Sequence, residues 1–473
     1  MLMKNTQYRP LYKNLNCFWL WFALAQLSFL TTLWLPYQGE EGVYTITSME
    51  MAARHEWIAP TLYGENYARP PLLNWLMIPL AHCFGWQNVL VVSRSITIVA
   101  TLLTSLLLIW FVHRIFRDRL LAIFSGLIFV SGDMLFRRGW LAYADPLFSL
   151  WVFAAIAFLW IAVEEEKPWF LLLAAVGLMA SFLTKAMTGY LFYGVALCVL
   201  GWRKGNWQFF LKKEAVVLHG LAVVFPLVWS QWISQGAHGF GMIYDIISKL
   251  NFDQFNGYFV KLACFPFDTL LRWLPLSALL IYFGVTSDNK KGYFIPLKEA
   301  KIQILLWMVG LNYLPYWLAP ETHARYLMPL YPLFSIVLAY WIVVLGEKKL
   351  KCTLTVLCVC IVLRYVAGIF IFPYYEQRYR GDYQAVAADI LTIAGEEPLY
   401  SVDYSAVGLS VSAAIDAAWM PRAVLVRPPL SWESGFVISR SNDILDTTIK
   451  KVYRLGTQRL YLLCRGEDCY GAS

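Results

Sequence analysis

CFWLWFALAQLSFLTTLWL, residues Cys17–Leu35, is an apolar stretch without a charged residue. A helix rises about 1.5 Å per residue, so roughly 20 such residues cross the ~30 Å hydrocarbon layer of a bilayer. The stretch predicts a membrane-spanning helix. Lys4, Arg9 and Lys13 precede it, as they precede many signal peptides, but Trp34, Leu35, Pro36 and Tyr37 are bulky where a signal peptidase needs small residues. It therefore reads as an uncleaved first span.

Working outward, further apolar stretches run over Ile96–Val112, Leu120–Phe136, Pro146–Val163, Trp169–Leu183, Met187–Gly201, Ala215–Ile233, Leu270–Val285, Ile302–Leu318, Leu327–Leu345 and Thr353–Phe372. That makes about eleven, several of them short for a full span. Composition agrees: 59% hydrophobic residues, 15% charged and a mean hydropathy of +0.53 exceed what a soluble core buries. Basic residues fall in every second loop, at Arg114, Arg117 and Arg119, then Lys167, then Arg203, Lys204, Lys212 and Lys213, then Lys290, Lys291, Lys298 and Lys301, then Lys348, Lys349 and Lys351. Basic loops stay cytoplasmic, so the N-terminus is expected inside and, with an odd span count, the C-terminus outside. The net charge of +8 is mostly this topological signal, and no nucleic-acid motif accompanies it.

The first outside loop, residues 36–92, is long for a connector. Val43, Ile46, Met49 and Ala53 share a helical face, and Pro70-Pro71 can open a second helix through Leu72, Trp75 and Leu76. Both helices are expected to lie along the membrane surface. After Phe372 the composition shifts, and residues 373–473 read as a small α/β domain. Helices are expected near Tyr383–Ile393 and Ile444–Val452, and strands near Leu399–Asp403, Ala423–Val426, Phe436–Ser439 and Leu460–Leu463. Residues 1–372 form the membrane domain in this reading. Cys464 and Cys469 in the outside region are either a disulfide or free thiols, and no Cys/His metal spacing occurs.

Charged and polar residues gather at the outer ends of the spans: Glu40, Glu41, Arg94, Asp133, Arg137, Arg138, Asp145, Lys185, His323 and Arg325. Each has a plain reading. Glu40 and Glu41 suit capping the helix that follows and complementing its dipole, Asp145 before Pro146 suits an N-cap, and Lys185 suits a snorkelling side chain. Taken together they suggest a one-sided polar site, because charges at membrane depth are costly and tend to line a pathway or cavity. Cations there fit a phosphate-bearing ligand; carboxylates beside them fit proton removal or binding of a hydroxyl or amine.

Several motifs carry a resemblance. Glu40-Glu41, Tyr44 and Glu50-Met51 are followed by Glu56-Trp57-Ile58-Ala59-Pro60 and Tyr67-Ala68-Arg69-Pro70-Pro71-Leu72. Arg94, Asp145-Pro146, Leu183-Thr184-Lys185 and Arg325-Tyr326-Leu327-Met328-Pro329-Leu330-Tyr331-Pro332 come next in order. This series resembles the C-type superfamily of membrane glycosyltransferases, in the branch of aminoarabinose:lipid A transferase and the bacterial relatives of protein O-mannosyltransferases. Glu40 stands where the family has Asp, Arg69 where it has Lys, and Ala68 where aminoarabinose transferases often have Glu.

The resemblance implies an inverting transfer of a sugar from a polyprenyl-phosphate donor to lipid A or another envelope acceptor, at the periplasmic face of a bacterial inner membrane. It implies Glu40, Glu41 and Asp145 as catalytic candidates, and Arg69, Lys185, Arg325 and Arg138 as donor-phosphate ligands. Tyr44, Tyr67, Tyr326 and His323 are implied as substrate contacts. The sequence requires no cofactor; a divalent metal is left open with its ligands unplaced, and membrane lipid is the remaining partner. A transporter or flippase of lipid-linked sugars is the rival, since buried charges also mark transport pathways.

Overall fold

The computed structural model describes residues 15–67, 69–185, 187–234, 257–286, 295–320, 322–466 and 469. Among them, six helical stretches are long and apolar enough to cross a membrane: Leu15–Thr32, Trp86–Phe116, Ala144–Glu165, Lys213–Trp232, Ala324–Val344 and Glu347–Ala394. A pair, Tyr258–Leu271 and Leu276–Val285, would make a seventh but is bent by 94°. The helix Lys213–Ser234 exposes Val216, Val217, Leu221, Val223, Val224 and Leu227. A helix apolar on its outer face is stable in lipid and not in water. The chain is a multi-pass membrane protein.

Each stretch expected to span coincides with helix, but not every one is a single straight span. Leu120–Phe136 breaks at Gly132 into Arg119–Ser131 and Asp133–Arg138. Asp118 starts the first piece, its carboxylate accepting the Leu121 N–H at 2.9 Å. Leu270–Val285 falls across the bent pair, and Leu327–Leu345 begins as the 3₁₀ turn Ala324–Leu330 before the α-helix Tyr331–Val344. Trp169–Lys185 and Thr188–Lys204 are helices of 17 residues.

The chain divides into two compact units. The first takes in the described residues of Met1–Thr31, Ile98–Trp140 and Ala144–Tyr365; the second those of Thr32–Thr97, Leu141–Tyr143 and Val366–Ser473. The expected division at residue 372 therefore differs from the compact units, since most of the first outside loop packs with the C-terminal residues.

In the first unit, Ala144–Glu165 and Trp169–Lys185 pack closely because Gly177 lets the backbones meet. A Cβ there would lie 3.0 Å from the Ala155 nitrogen and 3.1 Å from the Trp151 carbonyl oxygen. Buried Arg364 donates to the Val130 carbonyl at 2.8 Å and lies 4.7 Å from the Phe29 ring centre, so this interior charge ties helices together.

In the second unit, Glu41–Arg54 is a core helix, buried from Glu41 to Met51 except at half-buried Tyr44. Both faces of this expected helix are thus covered by protein. It packs on Leu72–Phe84 and on Ala406–Trp419. Gly42 makes the second crossing possible: a Cβ there would meet the Leu409 carbonyl oxygen at 2.6 Å. Gly42→Ala should push these helices apart at a cost of about 1–3 kcal/mol, read as a lower Tm of the solubilised protein. A wild-type Tm would show that the crossing has slack.

A four-stranded sheet completes this unit, in the order Leu399–Ser401, Gly435–Ser439, Gln458–Arg465, Thr448–Leu455. The first pair is parallel and the others antiparallel. Tyr383–Ala394 is helical as expected, and Cys464 and Cys469 are joined. Two expectations fail. Ile444–Val452 is not a helix, because Thr448, Ile449, Val452 and Tyr453 are β-formers that find a partner strand in Gln458–Arg465. Ala423–Val426 contributes one isolated bridge, Tyr400 to Val426. The helix Ala406–Trp419, capped by the Ser405 hydroxyl, was not anticipated; it is mostly small and apolar, and it is largely buried.

Asp416 on that helix is fully buried, its Oδ1 accepting the Leu425 N–H at 2.6 Å. Burial holds this carboxyl well above the usual carboxylate range, and the Glu50 charge adds to the effect. A folded-state pKa raised above the unfolded one gives stability that is complete below the unfolded value and lost as pH rises toward the folded one. Asp416→Asn should therefore flatten the fall in Tm as pH rises from about 4 to 8. An unchanged slope would exclude Asp416 as its source.

Candidate active site

Two groups of the expected residues form, one in each unit. In the first unit, Asp145 opens the helix Ala144–Glu165 and Lys185 closes Trp169–Lys185. The two form an ion pair with side chains 9% and 18% exposed. Lys185 Nζ also lies 4.9 Å from the centre of the Tyr326 ring and 5.8 Å from that of Phe148. The Arg325 guanidinium carbon is 5.3 Å from the same Tyr326 ring, and His323 is 6.0 Å from it, ring to ring.

The charges of Arg325 and Arg138 both reach the Asp145 carboxylate. The Ser149 hydroxyl holds the 3₁₀ turn that carries Arg325 and Tyr326, donating to the Met328 carbonyl at 3.2 Å. Here Asp145, Lys185, Arg325, Arg138, Tyr326 and His323 come together, three cations and one carboxylate among the described residues. Such a cluster of cations suits an anionic group.

In a neighbouring ionic group only Asp133 belongs to the expected outer-end charges. Arg272 at the helix bend pairs with Asp133 at 3.6 Å and Asp268 at 3.3 Å, while Trp273 stacks on Tyr331 at 4.1 Å. Arg272 and Asp268 sit in an apolar stretch that breaks at Pro275, a signal the sequence did hold.

In the second unit, Glu40 and Glu41 part company. Glu41 is wholly buried: its carboxylate pairs with Arg94 at 2.6 Å and accepts the N–H groups of Ala142 and Gln38, each at 2.7 Å. Arg94 also donates to the carbonyls of Thr32 and Leu33 at 3.1 Å, of Leu35, and of Pro36 at 2.8 Å. This network fixes the chain that leads into Glu40. Glu40 occupies the N-cap position of Glu41–Arg54, yet its carboxylate makes no cap bond and is exposed. The capping account therefore fails for Glu40.

The Glu40 N–H donates to the Tyr143 hydroxyl at 2.9 Å, and Tyr143 stands 5.9 Å from Tyr44, ring to ring. Tyr143 had no signal in the sequence. Arg69 is exposed and lies 5.8 Å from the Tyr67 ring centre, while Ala68 lies outside the described residues. No group of three or more His, Cys, Asp or Glu side chains able to hold a metal occurs among the described residues.

Residues 18–233 match the model of the dolichyl-phosphate-mannose-protein mannosyltransferase family. Over 96% of its length the chain superimposes on ArnT from Cupriavidus metallidurans bound to undecaprenyl phosphate, covering 99% of that chain at a TM-score of 0.65 and 14% identity. The chain has the ArnT fold. The apo form of the same ArnT gives a TM-score of 0.67, with 98% of it covered and 14% identity. Among curated proteins, undecaprenyl phosphate-α-4-amino-4-deoxy-L-arabinose arabinosyl transferase 2 of Sodalis glossinidius is 32% identical over 33% of this chain and 28% of its own length. The corresponding Edwardsiella ictaluri transferase is 29% identical over 63% of this chain and 57% of its own. The chain thus matches less than two thirds of the length of these relatives.

Proposed function

We propose that this protein is an inverting glycosyltransferase of the inner membrane. It moves a sugar of the 4-amino-4-deoxy-L-arabinose type from undecaprenyl phosphate to lipid A or a related envelope acceptor. The observation that carries this reading is the cluster of cations around Asp145 and Tyr326, which suits a lipid-linked phosphate; the ArnT fold and the activity in the relatives' names support it.

In this reading the acceptor oxygen attacks the anomeric carbon while the bond from that carbon to the phosphate oxygen breaks. Undecaprenyl phosphate leaves, its growing negative charge stabilised by Lys185 and Arg325, with Arg138 and Arg69 as further phosphate ligands. Glu40, exposed and free of capping duty, takes the proton of a hydroxyl acceptor or positions an acceptor phosphate that is already a nucleophile. Asp145 orients Lys185, and Glu41 orients Glu40 through the Arg94 network. Tyr44, Tyr67, Tyr326 and His323 contact substrate. The reading includes about eleven crossings with the N-terminus cytoplasmic and the C-terminus periplasmic, which reporter fusions to each loop would test.

Mass spectrometry of lipid A from cells lacking the gene should show loss of one sugar mass. The wild-type gene restores it and Glu40→Gln does not. If deletion instead accumulates the lipid-linked donor and Glu40→Gln complements fully, the protein is a transporter.

A further inference from the structure

On the second unit, three side chains from distant parts of the chain meet at the surface. Glu65, in the short strand Glu65–Asn66, pairs with Arg427 through one carboxylate oxygen. Through the other it accepts the Tyr404 hydroxyl at 3.2 Å. All three stay about half exposed: Glu65 at 50% and Arg427 at 54% by side chain, and Tyr404 at 48%. A pair so exposed contributes little to stability, so holding the fold is a poor account of the arrangement.

The support beneath is buried and well bonded. Tyr63 is 1% exposed; its hydroxyl donates to the Asp403 carbonyl at 3.0 Å, its carbonyl accepts the Arg427 N–H at 2.9 Å, and its ring meets Tyr404 edge-on at 5.4 Å. Below it the buried Glu50 carboxylate accepts the Thr61 hydroxyl and the Tyr63 N–H, both at 2.5 Å, and the Gly64 N–H at 3.1 Å. The turn that aims Glu65 is therefore fixed from inside, as a preorganised binding surface requires.

An exposed aromatic ring flanked by a carboxylate and a guanidinium has the chemistry that recognises a sugar. The C–H face of the ring of a saccharide lies on the Tyr, and neighbouring hydroxyls bond to the planar fork and to the acid. We propose that Tyr404, Glu65 and Arg427 form a saccharide-binding face that holds the sugar headgroup of the acceptor. The identity of the ligand as acceptor rests on the function proposed above; the binding of a saccharide does not.

The test uses the full-length protein in detergent and a glucosamine disaccharide as probe, followed by saturation-transfer difference NMR. Wild type should bind it, Tyr404→Leu and Arg427→Gln should weaken binding about tenfold, and Tyr404→Phe, which keeps the ring, should weaken it less. In a transfer assay with lipid A, the same variants should raise the acceptor KM by the same factor while kcat and the donor KM stay within about twofold. Arg427→Gln serves if Tyr404→Leu fails to fold. No binding by wild type, or equal binding by all variants, overturns the proposal. Binding that the variants lose in a protein that transfers no sugar leaves this face standing and removes the function proposed above.

Discussion

Arg94→Met should destabilise the protein by about 3–5 kcal/mol, because it leaves the Glu41 carboxylate charged, buried and without its partner. Both side chains of the pair are 0% exposed. The carbonyls of Thr32, Leu33, Leu35 and Pro36 lose their donor as well, and each buried orphan adds to the cost. Adding Glu41→Leu removes the stranded charge, so the double variant should be less damaged than the sum of the singles, though the Ala142 and Gln38 N–H groups then lack an acceptor. Thermal unfolding of the four proteins in detergent checks this. Additive losses would mean that the two residues act independently. Activity should fall with Arg94→Met beyond what the folded fraction explains, since this guanidinium fixes the carbonyls just before Glu40.

Lys185→Ala should lower the rate of sugar transfer by about 10²–10³-fold, the loss seen when one preorganised charge-stabilising donor is removed from a reacting centre. Asp145→Asn should cost less, because Lys185 keeps its charge and loses only the group that aims it. Lys185→Arg keeps the charge but replaces a compact ammonium with a planar fork, and should recover part of the rate. A buried Asp145 without its partner could itself disturb the fold, and the double variant Lys185→Ala with Asp145→Asn separates the two effects. If misfolding causes the loss, the double variant regains activity; if the missing cation causes it, the double variant stays inactive. Rates are to be measured in proteoliposomes at saturating donor and acceptor, and a wild-type rate for Lys185→Ala would remove it from the mechanism.

The helices were legible because lipid demands long apolar runs, and such runs are hard to imitate. What failed was local. Gly132 interrupts an apolar run that sequence alone joins, and Ala406–Trp419 is built of small residues that give little periodic contrast. Thr448–Leu455 depends on a partner strand that no local pattern announces. The cluster around Lys185 could be read from the sequence because its charges stand at the ends of apolar runs. Tyr143, which receives the Glu40 N–H from 103 residues away, could not, nor could the meeting of Glu65 with Arg427 across 362. The two members of the acidic pair look alike in sequence, and burial alone tells them apart.

The packing of Glu41–Arg54 against Ala406–Trp419 also sets an order of events during synthesis. The first of these helices leaves the ribosome early, whereas Tyr63, just beyond it, bonds to Asp403 across 340 residues of chain. Contacts so remote in sequence form late, because the intervening chain must be made before its closure can be rewarded. The segment bearing Glu40 therefore waits, incompletely buried, through insertion of nearly every later span. A nascent chain arrested before Ala406 would still lack a finished acidic loop, so competence arrives only once Ala406–Trp419 has been made.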